Sequence, residues 1–271
     1  MKYCVKGSHK TGEEFEKEIL QMKDLSDCIS IDLNYPRDHN FEKEVDFLKK
    51  LRTDNPRLNY VVHGQFYSGS LNDFNEQIRK ETINELFRNI DTAKEIGARI
   101  VVLHPGLEPY GLKLDKRVEL ELDSYRQIAN YAQKGNIKIG LENEAKTCFW
   151  FPDRAAKLEL IVQTIRNIGM KNFGLTLDVG HANVSQEDYI GAIKKYSDII
   201  FHVHAHDNFG GPEENMAKCN RPDPHLTIGK GRIDWNDVIH ALDAVNYPGY
   251  LEIECNPNEL EYSLRHLSDL K

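Results

Sequence analysis

Apolar residues change their spacing repeatedly along this chain. At residues 3–6, 28–33, 58–63, 99–104, 137–142, 173–178, 199–204 and 250–254 they form short runs with strand character. Between these runs the period becomes helical. Residues 13–25 place Phe15, Ile19, Leu20 and Met22 on one face, and helices are expected at 41–51, 73–96, 115–134, 154–168, 186–196, 235–245 and 260–270. Strands separated by helices run parallel, since only a long crossover returns the chain in the same direction. Eight such units predict an α/β fold, a single (β/α)8 barrel over residues 1–271 with its functional face at the C-terminal ends of the strands. The segment 207–233, rich in Gly, Pro and Asn, is long for a barrel loop, and loops of that length usually carry function.

The polar residues fall where such a face would be. Strands three to eight end in His63, His104, Glu142, Asp178, His204 and Glu254, each with the parity that points into the barrel. One such residue would read as a solvated strand end. Six in succession, expected at matched height, predict a divalent-metal site, because carboxylate oxygen and neutral imidazole are good ligands. His181 follows Asp178 by three positions and adds a further imidazole, although Asp178 is equally suited to cap the next helix. Asp223-Pro-His225 supplies another carboxylate and imidazole, or a surface turn fixed by prolines. His206, Asp207 and Asn208 are placed to hold the His204 ring or to bond locally in a turn. One layer down, His202 and Glu252 face inward, so a buried charged pair is expected, sharing a network with Lys138.

Charge and cysteines narrow the class. A net charge of −8 argues against a broad basic nucleic-acid surface, but divalent ions on an acidic cluster would reverse the local sign. Five cysteines with no C-x-x-C pair fit a reducing cytosol, and no window has the length or hydropathy of a signal core or membrane span. A cytoplasmic protein without a membrane partner is expected; a homo-oligomer stays open.

The runs Val62-His63, Val102-Leu-His104-Pro-Gly, Leu141-Glu142-Asn, Leu177-Asp178-Val-Gly-His181-Ala, His204-Ala-His-Asp-Asn and Asp223-Pro-His225-Leu-Thr-Ile-Gly-Lys-Gly together resemble the xylose-isomerase-like TIM barrel superfamily. That superfamily includes sugar isomerases and epimerases and the zinc-dependent apurinic-site nucleases of the endonuclease IV family. The resemblance implies a one-metal quartet of Glu142, Asp178, His204 and Glu254, as in the isomerases and epimerases, whose two glutamates also move protons. It implies a second, nuclease-type metal at His63 and His104 with Glu142 bridging, and a third at His181, Asp223 and His225. The cofactor implied is a divalent ion, zinc or manganese, in one to three copies. Where the nuclease family has Asp-Thr-Cys-His this chain has Asp178-Val-Gly-His181, and where it has His-x-Asn-Asp-Ser this chain has His204-Ala-His-Asp-Asn. After Glu142 the Gly-rich nuclease loop is replaced by Ala145-Lys-Thr-Cys-Phe-Trp-Phe. These departures look more like the isomerase and epimerase branch.

Two functions follow. In the first, a sugar or sugar-phosphate isomerase or epimerase, Glu142 and Glu254 are the proton-moving residues and work through an enediolate. His181 then bonds a substrate hydroxyl, Phe149, Trp150 and Phe151 offer an apolar wall, and Lys146 is a further contact. In the second, a zinc phosphodiesterase or phosphatase of endonuclease IV type, clustered metals serve an in-line displacement, and Phe66 and Tyr67 stack on an unpaired base of a nucleic-acid partner. The residues favour the first.

Overall fold

The computed structural model describes residues 1–7, 10–32, 41–107, 114–146 and 153–270. Eight strands form a closed parallel barrel in chain order: β1 Lys2–Lys6, β2 Cys28–Asp32, β3 Asn59–His63, β4 Ile100–Leu103, β5 Lys138–Glu142, β6 Phe173–Asp178, β7 Ile200–Ala205 and β8 Tyr250–Ile253. Around it lie α1 Gly12–Lys23, α2 Phe41–Asp54, α3 Glu76–Ile96, α4 Leu114–Lys134, α5 Leu158–Ile168, α6 Val179–Val184, α7 Tyr189–Tyr196, α8 Pro212–Cys219, α9 Trp235–Ala244 and α10 Leu260–Asp269. The expected architecture is present. None of these helices is long and apolar enough to cross a membrane.

Alternation along each strand sorts the side chains into two environments. Outward residues such as Ile29, Ile31, Leu175, Leu177 and Leu251 pack against the apolar faces of the helices. Burying each such side chain stabilises the fold by about 2 kcal/mol. Inward residues begin with a small apolar plug of Cys4, Cys28, Val61 and Val102. Above the plug the lumen turns polar, with Ser30, Thr176, His202 and Glu252 fully buried.

Most boundaries shift by a residue or two, the helix expected over 154–168 opens as a 3-10 turn at Asp153–Ala156 before α5, and the other large departures have local reasons. The helix expected from residue 73 starts at Glu76, because the Asn75 side chain accepts from the amides of Gln77 and Ile78 and caps it there. The helix expected from residue 186 is split: α6 follows β6 directly, Gln186 takes φ 57°, and Asp188 caps α7. The long connection contains α8, started by Pro212 in its first turn and ended by Asn220 in the left-handed region. Leu33 and the Cys148–Phe151 run, including the proposed aromatic wall of Phe149, Trp150 and Phe151, lie outside the described residues.

Candidate metal centre

Register explains why the strand ends converge. Asp32 pairs with His63 and Asp178 with His204, while Leu103 opposite Leu141 sets His104 beside Glu142, and Val5 opposite Ile253 sets Lys6 beside Glu254. These four junctions are level. At the other four the ladder steps by two residues, with Lys6 opposite Ser30, His63 opposite Val102, Glu142 opposite Thr176 and His204 opposite Glu252. Four steps of two give the shear of roughly eight that closes an eight-stranded barrel. Strand tilt cancels the steps, so the inward residues reach one layer above Glu252 and Thr176 as four level pairs. Matched height therefore holds along the barrel axis, and not along the hydrogen bonds. Two members of the ring, Lys6 and Asp32, stand at strand ends that hydrophobic pattern does not single out.

The pairs touch. His63 Nε2 lies 3.7 Å from Glu142 Oε2, and His104 Nδ1 lies 3.8 Å from the same oxygen. His204 Nδ1 lies 3.0 Å from Glu142 Oε1, 3.3 Å from Glu254 Oε1 and 3.8 Å from Asp178 Oδ2. Donor atoms of His63, His104 and Glu142 converge on one point, those of Glu142, Asp178 and His204 on another, and those of His63, His204 and Glu254 on a third. Among the described residues, Glu142 Oε2 and Asp178 Oδ2 are buried with no hydrogen-bond partner, whereas the orphaned His204 Nε2 faces down to Glu252 Oε2 at 3.8 Å. Orphaned carboxylate oxygens facing imidazole nitrogens are costly unless something satisfies them, and a divalent cation fits this set.

Outer partners hold the ligands. His63 Nδ1 meets Asp32 Oδ1 at 3.3 Å and Gln65 Nε2 at 3.1 Å, leaving Nε2 for the cluster. His104 differs, for its cluster-facing Nδ1 is itself 2.5 Å from Glu144 Oε1. Lys6 Nζ bridges Glu254 Oε1 at 3.0 Å and Asp32 Oδ1 at 3.5 Å. Beneath, His202 Nε2 and Glu252 Oε2 are 2.6 Å apart and both fully buried, as expected. Lys138 stays out of that pair; its strand position is exposed, and its ammonium lies 4.6 Å over the Phe201 ring.

Neighbouring charges set the protonation of the ring. Burial opposes charge on His204, but Glu254 and Glu142 overcome it and push its pKa up to about 10. Burial likewise resists ionisation of Glu142, but His204 and His104 hold it well below the ordinary carboxylate value. Glu254 is held well below too, against burial, by His204 and Lys6. His63 is lowered by burial and by Lys6, which suits a neutral ligand.

The remaining candidates come from α6 and the long loop. Asp178 caps the helix as predicted, Oδ1 accepting from the His181 amide at 2.6 Å at the start of α6, while Oδ2 faces the cluster. The cap swings His181 over the mouth, where Nδ1 is 2.9 Å from the Asn143 carbonyl and Nε2 is 3.2 Å from Asp223 Oδ2. His225 Nε2 lies 3.3 Å from the same oxygen, with its backbone in the left-handed region at φ 45°. The loop converges because Asp207 organises it. That carboxylate accepts from the amides of Asn208, Gly229 and Ile233 and from Trp235 Nε1. The Asp207 backbone also pairs with Leu226 through two bonds of 2.8 Å. Local turn bonding thus holds for Asn208, whose Oδ1 accepts from the Gly210 amide, whereas Asp207 reaches far along the chain, and the loop it builds delivers Asp223 and His225.

His63, His104, Glu142, His181, His225 and Glu254 line one cavity of about 770 Å³, together with Lys6, Glu144, Arg221 and Lys230. All nine predicted ligands thus belong to one contact network at the barrel mouth. Of the other residues singled out, Phe66 packs on the core, Tyr67 is exposed, and Lys146 lines a separate cleft beside Lys157 and Ser185.

A family model described as xylose isomerase-like TIM barrel matches residues 19–270. The chain belongs to this family. A solved structure described as a D-tagatose 3-epimerase-like protein superposes with TM-score 0.85 at 27% identity, covering 100% of this chain and 97% of that one. Uncharacterized protein MJ1311 of Methanocaldococcus jannaschii is 30% identical over 220 residues, 78% of this chain and 69% of that protein. Probable endonuclease 4 of Staphylococcus epidermidis is 24% identical over 230 residues, 79% of this chain and 72% of that protein. The family thus relates the chain to both branches that its motifs resemble.

Proposed function

We propose that this protein is a divalent-metal-dependent isomerase or epimerase acting on a ketose sugar or sugar phosphate. The observation that carries the reading is the placement of Glu142 and Glu254. They come from non-adjacent strands, both line the cavity, and both lie within 3.3 Å of one His204 nitrogen. The likeness to a D-tagatose 3-epimerase-like protein supports it. Glu142, Asp178, His204 and Glu254 would hold the ion, which would supply Lewis acidity toward a carbonyl and its neighbouring hydroxyl. Either glutamate takes the proton from the carbon between them, leaving an enediolate, and the other returns a proton to the opposite face. His181 donates to a substrate hydroxyl, and Lys6 holds Glu254 in place. The cavity volume falls in the ordinary range for small-molecule sites.

A second reading, a two- or three-metal phosphodiesterase, is favoured by one specific observation: His181, Asp223 and His225 come together at the mouth. The deciding experiment assays one zinc- or manganese-loaded preparation on a ketose and ketose-phosphate panel and on DNA carrying an abasic site. Epimer or aldose formation without strand cleavage supports the proposal. Strand cleavage without change in any sugar replaces it with the second reading.

A further inference from the structure

His206 is fully buried, and its ring lies between two carboxylates that belong to different halves of the centre. Nε2 is 3.2 Å from Asp178 Oδ1, and Nδ1 is 3.7 Å from Asp223 Oδ1. Neither contact has hydrogen-bond alignment, and among the described residues neither nitrogen has another hydrogen-bond partner. The ring fits because residue 180 is glycine. A Cβ there would fall 2.2–2.5 Å from His206 Cε1, Nε2 and Nδ1, closer than any real contact. Asn208 locks the same hollow, its Nδ2 donating to the Gly180 carbonyl at 2.9 Å. The two motif differences noted from sequence, Gly at 180 and His at 206, therefore meet in space as one packing arrangement.

His206 could be taken for a fourth ligand beside His181, Asp223 and His225, since its nitrogens lie within reach of theirs. Ring orientation argues otherwise. His206 and His225 stack with planes 9° apart and centroids 3.6 Å apart. A metal sits near the plane of each imidazole that binds it, and two parallel stacked rings share no such point.

We propose that His206, seated against Gly180, is a positioning residue that bridges Asp178 and Asp223 and so couples cation binding at the barrel mouth to the seating of the 207–233 loop. This rests on the metal-site reading, not on the choice of reaction. Asp178 is at once a candidate ligand and the cap that places His181, while Asp223 is the loop carboxylate facing His181 and His225. A ring touching both transmits a shift of either to the other, and outer partners of this kind commonly change metal affinity by about 10–100-fold.

The test is zinc titration of chelator-stripped full-length protein, read as affinity and as protection of the 207–233 segment from hydrogen exchange. His206→Phe keeps the ring and its stacking but removes both nitrogens. It is expected to weaken zinc binding by about 10–100-fold and to abolish the zinc-induced protection of the loop. Gly180→Ala should lower Tm through the clash, and adding His206→Asn should restore Tm without restoring affinity or protection. Wild-type zinc affinity and loop protection in His206→Phe would overturn the bridge. So would a Gly180→Ala protein that matches wild type in both Tm and affinity. A wild-type protein that binds no zinc would overturn the metal reading itself, and neither outcome depends on a sugar assay.

Discussion

The two halves of the centre are held by different physics. The strand-borne half, from His63 round to Glu254, is fixed by the barrel ladder, whose register sets each pair at one height. The loop-borne half, with Asp223 and His225, has no ladder and hangs on a few buried anchors, the Asp207 carboxylate and its backbone pair with Leu226, the Asn215 side chain that bonds the Pro222 carbonyl, and packing around His206. Strand-borne groups are therefore preorganised whatever is bound, whereas loop-borne groups move if their few anchors are lost. Precise proton transfer belongs on the first kind of support. Substrate admission belongs on the second.

The contrast should show most strongly at the two glutamates. Glu142→Gln or Glu254→Gln keeps shape but removes the base and weakens the ion site. Sugar turnover should drop by at least about 10³-fold in either variant, measured as kcat at saturating metal. Near-normal turnover in Glu254→Gln would move the chemistry elsewhere on the ring, with Glu144 the next carboxylate on the cavity wall. Asp207→Ala orphans buried donors, Trp235 Nε1 among them, and should cost about 3 kcal/mol in denaturant unfolding. Its structural effect should be confined to the loop half, and the strand-end ions should remain, with affinity lowered no further than in His206→Phe. Loss of all bound metal in Asp207→Ala would erase the distinction between the halves.

Glu252→Leu leaves His202 without its partner inside the barrel and should cost about 3 kcal/mol, a measure of how far the polar lumen supports His204 from below. A change below about 0.5 kcal/mol would make that pair dispensable.

The pH dependence of the metal-free protein follows from the shifts. His204 and His181 are raised above 6.5, so their contribution is complete below that value and fades as pH climbs toward about 10 for His204. Glu142, Glu254 and Asp223 are lowered, so theirs is complete above about 4.5 and fades as pH falls. Thermal melts of chelated protein should therefore be highest between about pH 4.5 and 6.5. Added zinc must displace those protons, so its stabilising increment should grow as pH rises. A flat difference between pH 6 and 8 would contradict the proton-for-metal exchange. The smallest effect is expected from His225→Ala: about a tenfold rise in ketose KM with bound metal unchanged, or loss of one metal equivalent if the second reading holds.

Much of this is legible in the chain because barrel strands are short, apolar and separated by helical period, and because His63, His104, Glu142, Asp178, His204 and Glu254 each stand within one residue of a strand's end. Lys6 and Asp32 are not, since a lysine after four residues of strand reads as solvated, and its role appears only when β8 closes on β1. In sequence His206 reads as a helper of His204, yet its ring turns to Asp178 and Asp223, which depends on the hollow at Gly180. The helix α6 is six residues long, and such a helix leaves little periodic signal; its start is visible only through the Asp178 cap. The convergence of Asp223 and His225 rests on Asp207 reaching across to Gly229 and Trp235, contacts that no spacing rule anticipates.

Everything proposed for the reaction turns on Glu142 and Glu254 shuttling a carbon-bound proton at a metal-dependent site. To observe that proton, metal-loaded protein is incubated with ketoses in D2O and deuterium at the carbon beside the carbonyl is followed by NMR. Deuterium incorporation should accompany epimer or aldose formation, and should be lost on chelation and in both Glu→Gln variants. Product formed without deuterium in metal-loaded wild type, or incorporation that survives in both variants, would contradict the shuttle.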